Sequence, residues 1–393
     1  VFLIVGCTSQ RAKQPSASRT NQQLAKAVAS GTTVSAPPTV VRPWVDLGDV
    51  DFLDAGFGWV PVARPCGVQV CISVSVTDDG GDSWRVRTVA PIKDGDGGGP
   101  SVHARPLVRL ASKTAGWLVD GQGKLFSTTD GAATWHPQPT GGAVIGLAAH
   151  GRAVWRLEKA CRQERRDCHV TLVVSSDGGQ HWSEAHRPEI GATGAQLVWP
   201  SRQVAYLLSD RGDTTIDGRR PDPVLARTTD GGGSWTTLRP PCSGWDNGSE
   251  SEDQGAAGWD LAASTPSDLW LVCQDTAASG SMQPKHLFRS SDGASTWSPD
   301  LGTPNGGEGG HSVAASPDRA CRGSGRTSIV CTRDGGRTWF LPDTQPADTG
   351  MAMLQFVDAL HGWALAPDEA TGDFTVLWHT VDGGETWSRQ HVT

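Results

Sequence analysis

Short apolar runs recur along the chain from Leu47 onward, each closed off by Gly, Asp, Ser or Pro. One kind reads "DVDFLD", "PLVRLA", "VIGLAA" or "MLQFVD". A second carries an aromatic, as in "GFGWV", "AGWLV" and "HGWAL". A third runs into a polar turn, as in "GKLFSTT", "VTLVVSS" and "VLARTT". Runs this short, with turn formers at both ends, predict strands, and no segment sustains a helical period.

The polar turn is one phrase repeated. Ser/Thr-x-Asp-Gly-x-x-x-Trp occurs seven times, at 77–84, 128–135, 175–182, 228–235, 290–297, 332–339 and 380–387. Its aspartates are Asp79, Asp130, Asp177, Asp230, Asp292, Asp334 and Asp382. Its tryptophans are Trp84, Trp135, Trp182, Trp235, Trp297, Trp339 and Trp387. Successive aspartates lie 51, 47, 53, 62, 42 and 48 residues apart, a period that marks repeat architectures. Upstream of the turn sits an aromatic (Trp59, Trp117, Trp155, Tyr206, Trp270, Trp363), except in the sixth repeat, which has "RACRG" there. Each unit therefore predicts four strands: apolar run, aromatic run, run into the turn, and run out past the turn Trp. Such a unit is a blade. Residues 46–393 thus predict an all-β fold, a seven-bladed β-propeller of four-stranded antiparallel blades.

A carboxylate repeated seven times invites a catalytic or metal reading, and the neighbouring residues argue against both. A calcium loop needs several carboxylates among roughly six to eight oxygens, whereas these turns hold mostly Gly, Ser, Thr and Ala beside a single dependable Asp. Acid–base catalysis needs two carboxylates in unlike environments. A structural turn accounts for every position: Asp accepts backbone N–H bonds, Gly takes positive φ, and Trp buries a large ring. No metal and no cofactor are expected.

The phrase resembles the Asp-box, or BNR repeat, of sialidases, sortilin-type receptors and some glycosidases. With the upstream Gly-Trp, the repeat most resembles propellers of the photosystem II assembly factor type and their bacterial relatives, over residues 46–393. Sialidase chemistry is not implied. No Arg-Ile-Pro motif occurs, and the only tyrosine, Tyr206, stands where sister repeats carry Trp, as a packing residue rather than a nucleophile. Xyloglucanase-type hydrolases pair two facing propellers, and this chain builds one. The resemblance therefore implies a binding propeller and no enzyme.

"VFLIVGCTSQ" reads as the tail of a lipoprotein signal, residues 1–7, with Cys7 as the lipidated residue. Residues 8–45 read as a disordered tether rich in Ser, Thr and Pro, with five Lys/Arg and no acid. Within it "QQLAKAVAS" is too short for a stable helix. These features place the protein outside the cytoplasm, anchored to a bacterial membrane. Eight further cysteines pair along the blade map as Cys66–Cys71, Cys161–Cys168, Cys242–Cys273 and Cys321–Cys331, as suits an oxidising compartment. Zinc is the rival, but no Cys-x-x-Cys or clustered His supports it. The net charge of −8, which becomes −13 over residues 46–393, argues against nucleic acid.

In a four-stranded blade the one–two and three–four turns share one face, and the two–three and four–one connections the other. The repeated turns are three–four turns, so their face is uniform. The opposite face receives the insertions at 91–106, 157–169, 208–224, 239–260, 273–286, 299–311 and 366–374. All four cysteine pairs are expected on that loop face. Binding residues favour such loops on a rigid scaffold. The site is therefore expected there, weighted to "RPPCSGWDNGSESEDQGAAGWD", with Trp245, Trp259, His103, Arg105, Gln196 and His311 contacting a protein partner or envelope glycan. The competing class is a glycoside hydrolase, sialidase-like or otherwise exo-acting, using Asp246, Glu250, Glu252, Asp253 and Glu308. Those acids stand in Gly/Ser-rich runs, where solvated carboxylates keep ordinary pKa values.

Overall fold

In each repeat the apolar run pairs with the aromatic run, which pairs with the run into the turn, which pairs with the run beyond the turn Trp. The computed structural model describes residues 46–66, 69–87, 93–94, 106–162, 167–185, 195–209, 223–243, 260–274, 285–302, 312–324, 328–344, 353–367 and 374–392. Blade three shows the pattern at full length: Ala143–His150, Ala153–Arg162, Asp167–Ser175 and Ser183–Glu184, antiparallel in chain order. Blade seven repeats it with Met353–Phe356, Gly362–Pro367, Phe374–Thr380 and Ser388–Gln390. In blade one the inner strand is broken into Asp46–Leu47 and Asp51–Phe52, both paired to Gly58–Cys66.

The outer edge thins in blades five and six, where three strands remain. In blade five the edge is reduced to Ser298 N–H on Arg289 O (2.7 Å) and Leu301 N–H on Leu287 O (2.9 Å). In blade six it is a bridge between Cys331 and Phe340. Pro299 and Pro342 fall in these segments and remove the donors a full ladder needs.

The seven sheets form a ring, with inner strands of successive blades in contact and the first blade meeting the last. All four strands of blade seven are consecutive in sequence, so the ring closes without exchanging a strand. An apolar seam closes it instead: Leu47, Val50, Phe52, Val60 and Val62 of blade one pack with Trp363, Leu365 and Leu377 of blade seven. Trp363 is fully buried and stacks on Phe52 with centroids 3.5 Å apart. His379 covers its other face at 4.8 Å, and its indole N–H donates to Gly80 O at 2.9 Å.

That contact is one instance of a repeated joint. The strand-two aromatic of each blade packs beneath the polar turn of the next. Trp59 meets Trp135 edge-on at 6.1 Å, Trp155 lies 5.9 Å from Trp235, and Tyr206 O–H donates to Pro266 O at 2.6 Å. The sixth repeat, which lacks the aromatic, fills the joint with sulfur. Cys321 stands opposite Cys331, next to the turn, and a Cβ placed on Gly384 would lie 2.6 Å from both sulfurs. The Cys321–Cys331 bridge forms as paired in sequence, but it lies at the turn end of the blade, not on the loop face. Its role is to replace a ring at an interblade joint. Cys161–Cys168 and Cys242–Cys273 also form. Cys71 is disulfide-bonded, and the side chain of Cys66 lies outside the described residues.

Candidate functional site

The seven repeated aspartates come first, because their chemistry decides whether they are available to a ligand. In every turn the opening Ser/Thr hydroxyl donates to Asp Oδ1 at 2.7–2.9 Å. The residue four beyond the Asp gives its backbone N–H to Oδ1 at 2.9–3.0 Å. Its side chain engages Oδ2 at 2.5–2.7 Å, and that side chain is Ser or Thr except in blade three, where it is His181. These bonds favour the charged form and hold Asp79, Asp130, Asp230, Asp292 and Asp334 at a pKa of about 2. Asp177 is lowered too, first by the His181 N–H, and Asp382 is lowered against an opposing effect of burial.

The two residues after the Asp take φ between +67° and +106° in all seven turns, which Gly does freely and Ala132 and Ala294 do at some cost. The first of the two donates its N–H to a carbonyl of the same blade's one–two turn, at 2.7–2.9 Å, in all seven blades. Both sets of turns therefore share a face, as the blade geometry requires. The turn carboxylates are committed to their own loops.

A second set of polar groups lines the axis. Gln355 of blade seven accepts the Phe52 N–H at 2.9 Å and donates to Asp51 Oδ1 at 3.1 Å. Asp51 Oδ2 in turn accepts the Leu110 N–H of blade two at 2.6 Å. The same relay recurs in blades four to six. Gln196 accepts the Leu261 N–H at 2.9 Å, donates to Leu261 O at 2.9 Å and to Asp260 Oδ1 at 3.2 Å. Asp260 Oδ2 accepts the Ser312 N–H. Each glutamine–aspartate pair thus ties three inner strands together.

Charge gathers at both relays. Arg109 pairs with Asp49 at 2.6 Å beside Asp51. Burial nevertheless pushes Asp51 up to about 6, against the pull of Arg109. Near Asp260, Lys285 and Arg322 are buried, and burial with the Arg322 charge brings Lys285 down to about 8. Among the described residues no group of three or more His, Cys, Asp or Glu is placed to hold a metal ion.

The raised Asp51 yields a signed prediction. Its folded carboxyl binds a proton between about pH 6 and pH 4, where the unfolded one does not, so this group adds stability as pH falls through that window. Relative to Asp51→Asn, the wild type is expected to gain about 2–3 kcal/mol between pH 7 and pH 4, at about 1.4 kcal/mol per unit. Urea unfolding of both proteins at the two pH values measures it, and a pH-independent difference contradicts it.

Of the residues expected to bind ligand, Gln196 lies among those described, and its amide is spent on the next blade. Trp245, Trp259, His103, Arg105 and His311 lie outside the described residues, as do Cys7 and the carboxylates Asp246, Glu250, Glu252, Asp253 and Glu308. Sequence reading passed over the Ser/Thr/His seventh position of the turn and the partner glutamine Gln355. The first was visible as a Ser or Thr in six of the seven turns. The second has no signal short of the strand register.

No protein-family model matches the chain, and no curated protein matches it in sequence. Solved structures share its fold. YCF48 bound to a D1 peptide aligns with a TM-score of 0.54 and 16% identity, over 89% of this chain and 99% of that one. YCF48 from Cyanidioschyzon merolae gives 0.51 and 15%, over 89% and 97%. An ulvan lyase, a polysaccharide lyase of family PL25, gives 0.54 and 12%, over 89% and 98%. At these identities the likeness is one of fold, and propellers of this shape carry both binding and catalysis.

Proposed function

We propose that the chain is an extracytoplasmic, lipid-anchored propeller without catalytic activity, which binds a protein partner or an envelope glycan on the face opposite the repeated turns. The observation that carries this reading is the inequality of the two faces. On the turn face, the repeated carboxylates and the first glycine N–H groups are consumed by the scaffold. Among the described residues, the strands that lead into the long connections, such as Thr236–Leu238 before 239–259, end toward the other face. Cys242–Cys273 braces the root of that insertion, and Cys161–Cys168 the root of another. Anchored loops on a rigid ring suit recognition, and the disulfides suit an oxidising compartment. A protein partner is favoured by the likeness to a propeller solved with a peptide bound.

The test uses the intact chain in a pull-down from its own envelope beside a glycan array. Trp245→Ala and Trp259→Ala are expected to weaken binding to the captured partner at least tenfold while leaving the unfolding midpoint unchanged, as hot-spot aromatics do. Unchanged affinity in both folded variants, or turnover of a polysaccharide by the intact chain, overturns the reading.

A further inference from the structure

On the turn face, a cleft of about 350 Å³ lies between blades three and four. Blade three contributes Ser176, His181, Trp182 and Ser183, all in or beside its polar turn. Blade four contributes Trp199 and Arg202, at its one–two turn. The rings in the walls are already covered. Trp199 lies against the buried Trp155, with centroids 4.2 Å apart, and the Arg156 guanidinium covers Trp182 at 3.9 Å. What the cleft offers a ligand is polar, since Ser176, His181, Ser183 and Arg202 are all exposed.

Two of these residues set this joint apart. Six of the seven turns place Ser or Thr four beyond the Asp, and that hydroxyl ends on Asp Oδ2. His181 makes the same bond with Nδ1, at 2.6 Å, and carries a second nitrogen, Nε2, beyond it. Its side chain is 90% exposed. Arg202 is the other. Nearby arginines are committed to the scaffold: Arg152 donates to Asp177 O at 2.9 Å, and Arg227 and Arg289 donate to carbonyls of the next blade's turn. Among the described residues, the Arg202 guanidinium makes no hydrogen bond or ion pair.

We propose that this cleft binds a carboxylated sugar unit of a glycan, its carboxylate on the Arg202 guanidinium and its hydroxyls on Ser176, Ser183 and His181 Nε2. An uncommitted guanidinium matches a carboxylate through two parallel N–H···O bonds. The serine hydroxyls give or take bonds and the imidazole nitrogen takes one, as sugar hydroxyls require. The volume far exceeds that of a bare carboxylate and falls at the small end of ligand pockets, roughly 300–1,000 Å³. Asp177 is tied into its own turn, but its charge and the −13 on residues 46–393 repel an anion and limit the affinity. The site stands on the face opposite the loop insertions and is independent of what those loops bind.

The probe is methyl β-D-glucuronide, titrated into the full chain and followed by the ring-proton resonances of His181 and by calorimetry. Binding in the millimolar range is expected. Methyl β-D-glucoside keeps the hydroxyls without the charge, and acetate keeps the charge without the hydroxyls; each is expected to bind at least tenfold more weakly. Arg202→Ala is expected to lower glucuronide affinity at least tenfold. Arg202→Lys is expected to lower it about threefold, since an ammonium keeps the charge and loses the fork. His181→Thr installs the residue found in blades two, five, six and seven, so the bond to Asp177 is kept. It is expected to weaken binding about threefold with an unchanged unfolding midpoint. No binding of the glucuronide, equal binding of glucoside or acetate, or unchanged affinity in Arg202→Ala overturns the proposal. Equal binding of Nα-acetyl-glutamate amide also overturns it and assigns the cleft to an acidic peptide.

Discussion

Trp363→Ala is expected to cost about 3–5 kcal/mol of stability, the range for truncating a buried aromatic to alanine. Trp363 is fully buried between Phe52 and His379, and its indole N–H holds Gly80 O across the closing seam. The substitution removes ring volume, two stacking contacts and a hydrogen bond at the place where no strand is shared between neighbours. Trp84→Ala serves as the reference, since Trp84 is half-buried, meets Phe52 only edge-on at 6.3 Å, and keeps its hydrogen bond within its own turn, to Gly81 O at 2.9 Å. Guanidinium unfolding of the two variants decides the matter. A loss at Trp363 no larger than that at Trp84 contradicts a closure built on this ring.

The second large effect is expected in acid. Five of the repeated aspartates titrate near 2 in the folded chain, and the other two are also lowered. For a depressed carboxylate the sign is fixed: its stabilisation is complete above the unfolded pKa near 3.9 and is lost as pH falls toward the folded value. Each contribution is small, because these groups face solvent. The seven act in the same window, however, so unfolding takes up as many as seven protons between about pH 4 and pH 2. A steep fall in the unfolding midpoint is expected there, shallower by one proton for Asp334→Asn. A stability profile flat from pH 4 to pH 2.5 contradicts the hydrogen-bonding scheme.

Much of the fold was legible because the repeat states it seven times: the same turn, the same upstream ring and a regular interval leave few alternatives to a ring of blades. Cys161–Cys168 and Cys321–Cys331 followed from the same map, since each pair falls on two neighbouring strands of one blade. What the sequence misplaced was the meaning of Cys321. Two sulfurs standing in for an indole is a matter of shape across a seam, which appears only when Gly384 is seen against them. The glutamine–aspartate relays were hidden for a similar reason. Gln196 and Asp260 lie 64 residues apart, and Gln355 and Asp51 lie 304 apart, so only the ring brings them together. The thin edges of blades five and six could have been read from Pro299 and Pro342, which the strand pattern overrode.

The closing seam has a consequence for how the molecule behaves in company. The chain itself crosses the joints between successive blades from one to seven, while among the described residues blades one and seven meet through side chains and a few hydrogen bonds. Their encounter is an intramolecular association, sustained by the high effective concentration that the intervening blades impose. An arc opened at that seam exposes two complementary apolar faces, and a second opened arc presents the same pair. At low protein concentration each arc recloses on itself. At high concentration, blade seven of one chain can seat against blade one of another, giving an exchanged assembly with every native contact preserved.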